Sequence, residues 1–311
     1  MTTTVAPPPM LIEELEVTAV ERLSPSFVRV EFGSPALADL GVDEGPLYDQ
    51  RIKLIFPNAA GELPRLEPDE GFFATWMQIP EAERGAMRTY TVRALRGSGP
   101  DTRLVVDFVV HEGAIGPGGD FGANAAVGQR VITLAPRRGV PFGGIEFVPG
   151  TAKRLLLVGD ETAVPAIAAI LECLPPTARG AAFCEVPVAA DVLQLDGPSG
   201  VEVHWLPRDG APRAVALHAA VLEHLGEDPA PPVVDEVDPD LWETPTYSSS
   251  GEEVDTAVRV VGHEFDDLYA WIAGESKLVT GLRRAMVKDL GIDRHQVAFM
   301  GYWRQGVAMR A

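Results

Sequence analysis

The chain has 311 residues, with 26 Lys and Arg against 45 Asp and Glu and a formal net charge of −19. That balance excludes a nucleic-acid binder and a protein that docks on anionic membrane surfaces, since both partners would be repelled. No stretch is apolar for long enough to insert in a membrane, and the opening "MTTTVAPPPMLIEELEV" lacks the blocks of an export signal, so a cytoplasmic location is expected.

From Leu15 to Leu134 short strands are broken by turn residues. "FVRVEFG", "RIKLIFP" and "RTYTVRAL" alternate with period two, and "RLVVDFVVH" is a longer apolar run. Short strands at this spacing predict an antiparallel barrel or sandwich. The connection from Asn58 to Gly85 is long and is expected to contain a short irregular insert, and "HEGAIGPGGDFG" reads as a glycine-rich loop.

The texture changes near "GGIEFVPGTAK", residues 143–153. "KRLLLVGD" is a strand, "AVPAIAAILECL" a helix, "GAAFCEVP" and "VEVHWLP" strands, and "AVALHAAVLEHL" a helix. "DDLYAWIAGE", "SKLVTGLRRAMVKDL" and "QVAFMGYWRQG" then give strand, helix and strand. Strands alternating with helices predict a parallel sheet wrapped by helices. The expected domains are 1–148 and 149–311. Residues 227–255, with ten acidic residues and no Lys or Arg, are read as an irregular acidic insertion in the second. Cys173 and Cys184 lie in apolar sequence and read as buried, inert thiols; no ligand set for a protein-bound metal is visible.

Two stretches carry chemistry. "RTYT" sets a cation, Arg88, an aromatic, Tyr90, and hydroxyls, Thr89 and Thr91, on one strand, with Arg88, Tyr90 and Val92 on a common face. A flavin needs a ring to lie against, a cation for its pyrophosphate and a small donor near its reactive nitrogen. "DFVVHEGAIGPGGDFG" then runs from a strand into glycines, Gly116, Gly118 and Gly119, that allow a phosphate to approach backbone closely. In "LLLVGDETAVPAI" Gly159 permits a sharp turn and Thr162 caps the following helix, but Asp160 and Glu161 stand where phosphate is usually held.

These segments, with "WIAGE" and "GYWRQG", resemble the siderophore-interacting proteins, FAD-dependent ferric-siderophore reductases of the ferredoxin-reductase-like fold. The resemblance implies an N-terminal antiparallel FAD-binding β-barrel followed by a parallel-sheet NAD(P)-binding-like α/β domain. It implies reduction of a ferric siderophore from Fe(III) to Fe(II), with electrons from NADH, NADPH or reduced ferredoxin and no catalytic side chain. The FAD site it implies is Arg88, Thr89, Tyr90, Thr91, Asp107, His111, Gly116, Gly118, Gly119, Phe121 and Thr162, with Tyr302 or Trp303 covering the flavin. Gly159, Asp160, Glu161, Ala273, Gly274 and Glu275 fall where related reductases contact NAD(P)H. Lys277, Arg283 and Arg284 on one predicted helix, with Arg304 in the tail, are read either as a local landing patch for the chelate or as a solvated helix face. One departure stands out: the family's loop reads close to Gly-Pro-Ala-Ser-x-Trp-Ala, and here it is Gly116-Pro117-Gly118-Gly119-Asp120-Phe121-Gly122. The alternatives are an NAD(P)H:flavin oxidoreductase with a non-iron acceptor, and a flavin- or siderophore-binding protein without turnover.

Overall fold

The structure is a computed structural model that describes residues 10–42, 45–66, 71–110, 116–228, 241–245, 247–248 and 264–307. The chain divides into two compact units, Met1–Ile145 and Glu146–Arg310. The division lies three residues before the expected boundary. Tyr269 accounts for the difference: its hydroxyl donates to Glu146 O at 2.9 Å and accepts from Val148 N at 3.0 Å, which ties the segment to the second unit.

The first unit contains β1 (Met10–Arg22), β2 (Phe27–Gly33), β3 (Arg51–Phe56), α1 (Phe72–Gln78), β4 (Ala86–Thr91), β5 (Ala94–Arg96), β6 (Arg103–Val109), α2 (Pro117–Ala123) and β7 (Arg130–Pro136). The strands form one antiparallel sheet in the order β4-β3-β7-β1-β2-β6-β5. Period-two alternation turns Val28, Val30 and Phe32, with Ile52, Leu54, Leu104, Val106 and Phe108, into a single core to which all seven strands contribute. The sheet therefore curls around its core as a half-barrel, and no ladder joins β4 to β5 among the described residues. The outer face is not bare. Phe72 and Trp76 of α1 cover Ile12, Ile55, Met87 and Ile132, so the expected irregular insert carries a short helix.

The second unit contains β8 (Arg154–Gly159), α3 (Val164–Cys173), β9 (Gly180–Val186), β10 (Val201–Pro207), α4 (Val215–His224), β11 (Trp242–Thr244), β12 (Tyr247–Ser248), β13 (Leu268–Glu275), α5 (Ser276–Arg283) and β14 (Val297–Trp303). The sheet order is β10-β9-β8-β13-β14-β11-β12. The first five strands are parallel, and β11 and β12 add an antiparallel edge. The sheet is thus mixed, where a parallel one was expected, and its edge hairpin lies inside the stretch read as irregular. Strands of three and two residues are too short to show a period. Most of the acidic segment lies outside the described residues. The helix at 276–290 is α5 followed by a wider π turn over Arg284–Asp289. Cys184 is buried, and burial pushes its thiol up to about 12, whereas Cys173 is only half-buried. No helix among the described residues is long and apolar enough to cross a membrane.

From β8 the chain winds outward through β9 and β10, then returns to lay β13 and β14 on the other side of β8. The direction of winding reverses between β8 and β13, and ligands of open α/β sheets settle outside the carboxyl ends of the strands at such a reversal.

Candidate functional site

In the first unit, β3 and β4 pair with Leu54 opposite Arg88, Lys53 opposite Thr89, Ile52 opposite Tyr90 and Arg51 opposite Thr91. Arg88 and Tyr90 consequently share the face of Leu54 and Ile52, and Thr89 and Thr91 share the other with Lys53 and Arg51. Tyr90 packs on Phe108 with ring centroids 4.6 Å apart, and burial raises its phenol above the usual range. Arg88 donates from a guanidinium N–H to Met87 O at 2.7 Å and has no carboxylate partner among the described residues. Lys53 Nζ donates to Thr89 Oγ1 at 2.7 Å; burial and then the guanidinia of Arg51 and Arg88 lower its ammonium pKa. Arg51, Lys53 and Thr89 line a groove of about 300 Å³ with Gly143 and Gly144. Lys53 and Arg51 were not singled out in the sequence; only the register of β3 against β4 brings them to the motif.

The glycine-rich segment differs from expectation. Residues 117–123 are the helix α2, not a loop. A Cβ on Gly118 would lie 2.1 Å from the Tyr90 hydroxyl, and one on Gly122 would lie 2.6 Å from Phe108 Cβ. Those two glycines seat the helix on the core, so the space beside Gly118 is filled by Tyr90 and not left for a phosphate. Gly116 has open space around it, and α2 receives no side-chain cap there. Gly119 faces outward, with Val109 O at 4.0 Å its nearest neighbour. Phe121 lies among Phe32, Phe56 and Phe108, with its centroid 5.0 Å from that of Phe56. Asp107 is buried and spent on Arg29, which donates to both its oxygens at 2.7 and 2.8 Å, with Arg93 at 3.6 Å. Its ionic partners come from the chain itself. His111 lies outside the described residues.

Gly119→Ser is expected to tighten retention of a dinucleotide phosphate. The backbone there is helical, so the change carries no left-handed strain, and one hydrogen bond to a charged oxygen contributes about 1.5–3 kcal/mol. Equilibrium dialysis of FAD against both proteins checks it; an equal or weaker affinity in the variant rejects it.

In the second unit, β8 ends on a corner with two fully buried acids, Asp160 and Glu161. Asp160 Oδ1 accepts from Thr162 N at 2.9 Å and Thr162 Oγ1 at 2.6 Å. Thr162 is therefore not the cap of α3, which begins after Ala163 without a side-chain cap. Asp160 Oδ2 accepts from Glu275 N at 2.8 Å and from Trp303 Nε1 at 2.9 Å. Burial, with the charge of Glu161, raises the Asp160 carboxyl to about 6. Glu161 goes the other way: burial pushes it up, but Arg208 and Arg213 outweigh that and hold it below its ordinary value. Arg208 also donates to Glu185 at 3.1 Å, and Glu185 accepts from Ala214 N at 2.9 Å. Burial raises Glu185. Arg208, Arg213 and Glu185 were missed in the sequence, and no local signal marks them, because they come from β9 and from the loop after β10.

Gly159 was read as a turn residue, yet it is the last residue of β8, and a Cβ there would lie 2.3 Å from that of Ala163. Close packing, not a sharp turn, requires it. Glu275 caps α5: its Oε2 accepts from Lys277 N at 2.7 Å, and its Oε1 accepts from Gln305 N at 3.1 Å. Ala273, like Gly274 and Glu275, is buried at the end of β13. Tyr302 and Trp303 go to different places. Tyr302 stacks on Trp242 and meets Trp271 edge-on, while Trp303 belongs to the Asp160 corner. Of the basic patch, Arg283 is bound by Glu243 at 2.6 and 3.1 Å, so it is not available to a chelate. Lys277 and Arg284 are exposed and Arg304 half-buried.

A family model described as a siderophore-interacting FAD-binding domain matches residues 16–140, and one described as siderophore-interacting protein matches 152–306. The chain belongs to the siderophore-interacting protein family. Among its relatives, the ferric vibriobactin reductase ViuB of Vibrio cholerae is 30% identical over 92% of this chain and 92% of the relative. The NADPH-dependent ferric-chelate reductase of Escherichia coli is 27% identical over 93% and 92%. The solved structure of a siderophore utilization protein from T. fusca is 32% identical, covers 98% of this chain and 97% of its own, and superposes with a TM-score of 0.68. The first unit is thus the family's FAD-binding domain, and its residues fit that cofactor: Arg88 is a cation without a carboxylate partner among the described residues, Tyr90 is a half-buried ring beside it, and Gly116 leaves backbone open at an uncapped helix start.

Proposed function

We propose that this chain is an FAD-dependent reductase that converts the Fe(III) of a ferric siderophore to Fe(II) and so frees the iron. The observation that carries the reading is the succession, in one chain, of the family's FAD-binding domain and its siderophore-interacting domain, with the Arg88–Tyr90–Thr91 strand in the first. FAD, when bound, would supply the redox chemistry, the uptake of electrons from a donor and their release one at a time. The chain's own residues bind and orient. Arg88 balances phosphate charge and Tyr90 offers its ring, while Thr91 is a buried hydroxyl on the opposite face of the strand. Fe(II) holds hard oxygen ligands more weakly than Fe(III), so the chelate loosens without a protein acid or base. The cations Arg51 and Lys53, which line one groove, give a chelate a local point of approach in a chain of net charge −19. The donor is NADPH, NADH or a reduced ferredoxin.

The test is formation of ferrous iron, trapped by a chromogenic chelator, when the protein is reduced anaerobically and mixed with a ferric siderophore. A near-neutral ferric hydroxamate is expected to be reduced faster than a triply anionic ferric tris-catecholate at low salt. Added salt should raise the catecholate rate, because it screens the repulsion beyond about 8–10 Å. A catecholate rate that is higher at low salt and falls as salt is added would show that the Arg51–Lys53 pair outweighs the net charge.

A further inference from the structure

Trp303 closes a ring of contacts across the point where the winding of the second sheet reverses. It lies at the end of β14, in register with Glu275 at the end of β13. Its indole reaches past β13 to the corner after β8, where Nε1 donates to Asp160 Oδ2 at 2.9 Å. Gly274 allows this crossing, since a Cβ there would sit 2.8 Å from the Asp160 carboxyl carbon. Arg213 covers the indole, with its guanidinium carbon 4.7 Å from the ring centroid. The same guanidinium donates to both oxygens of Glu161 at 2.8 and 2.9 Å. Asp160 and Glu161 are adjacent in the chain, so the circuit is complete. The strand is held a second time where Ser276 Oγ donates to Trp303 O at 2.9 Å.

Ligands of this kind of sheet lie outside the carboxyl ends of the two strands at the reversal. Here an indole, a carboxylate and a guanidinium occupy that place and are bonded to one another. An entering pyrophosphate would also meet Asp160, Glu161 and Glu185, while Arg208 and Arg213 are both committed to Glu161. We propose that Trp303, held by Asp160 and Arg213, is a specificity-determining residue for the electron donor. A nicotinamide dinucleotide reaches the crevice between β8 and β13 only in molecules whose indole has left it, and its apparent affinity is lowered by that fraction. What the donor serves rests on the reductase reading. The closure itself rests on contacts within the second unit.

The experiment is calorimetric titration of the full-length holoprotein with NADP+, and in a separate arm NAD+, in wild type and Trp303→Phe. Phenylalanine keeps an aromatic ring and removes the Nε1 donor. Loss of one hydrogen bond to a carboxylate should tighten the Kd for at least one of the two nucleotides about tenfold or more. The tryptophan emission of the wild type should also change on saturation, and that change should be missing from the variant. If the variant folds poorly, the wild-type emission decides alone. Equal Kd values with no emission change overturn the proposal, as does weaker binding in Trp303→Phe, which would make the indole part of the nucleotide's own site. No binding to either protein overturns it too. The reductase reading is tested apart: if dithionite-reduced wild type fails to reduce a ferric chelate, that reading falls while the titration still reports on the closure.

Discussion

An Arg208→Met variant is expected to lose about 3–5 kcal/mol of stability in the unfolding transition of the α/β unit, the usual cost of removing one partner from a buried ion pair. Arg208 stands between Glu161 and Glu185, whose side chains are fully buried. Methionine fills much of the volume and supplies none of the donors, leaving Glu185 with the Ala214 N–H and Glu161 with Arg213. The loss should depend on pH with a definite sign. In the wild type Glu161 is held below its ordinary value of 4.5, so its ion pairs contribute stability above that pH, and the contribution fades as pH falls through the lowered value. Asp160 has the opposite sign: raised to about 6, it binds its proton more tightly when folded, and ionising it costs stability as pH rises through that value. Without Arg208, Glu161 and Glu185 both shift toward the behaviour of Asp160. The penalty should therefore be largest near neutral pH and shrink toward pH ~5, where the buried carboxyls take up protons. Urea unfolding at the two pH values measures it, and Glu185→Gln in the Arg208→Met background should recover part of the loss. A penalty equal at both pH values would mean that Arg208 contributes by packing and not by charge.

Arg88→Ala is expected to yield folded protein with FAD bound about 10- to 150-fold more weakly, the range for one charge-assisted hydrogen bond to phosphate. The side chain is half-buried and has no internal carboxylate among the described residues, so its removal leaves no buried charge behind. Tyr90→Ala should lose flavin as well, but it also empties a place in the core beside Phe108 and Phe56. Tyr90→Phe separates the two effects, since it keeps the ring and loses only the hydroxyl that meets Gly118. The ratio of flavin to protein absorbance after gel filtration is the readout. A full complement of flavin in both Arg88→Ala and Tyr90→Ala would remove the site from β4.

Much of the fold was legible because its period is strong. β2 alternates, β8 and β13 are unbroken apolar runs, and α3 and α4 follow within a few residues. What escaped was either short or long-range. β11 and β12 are too brief to carry a pattern, and α2 is a helix of three glycines whose reason lies in the rings of Tyr90 and Phe108 against which it packs. Glycine was misread for a common physical reason: at Gly159 and Gly118 it is needed for close approach, which only a neighbour distant in sequence can reveal. The candidate site divides in the same way. Arg88, Tyr90 and Thr91 are three letters of one strand and could be read, whereas Glu185, Arg208 and Arg213 meet Asp160 and Glu161 only once β8, β9 and β10 are laid side by side.

The Cβ missing from Gly274 has an evolutionary consequence. A side chain at 274 collides with the Asp160 carboxylate, a smaller residue at 160 strands the Trp303 indole, and a change at 303 uncovers Arg213 and through it Glu161. Residues coupled this closely do not have additive effects. Libraries that vary one of these positions at a time should therefore trade stability for any gain in nucleotide access, and alternatives that keep both should appear only as combinations. A lineage exchanging one electron donor for another without losing stability would have to cross at this corner in a concerted step, or first loosen Arg213 and rebuild the rest around it.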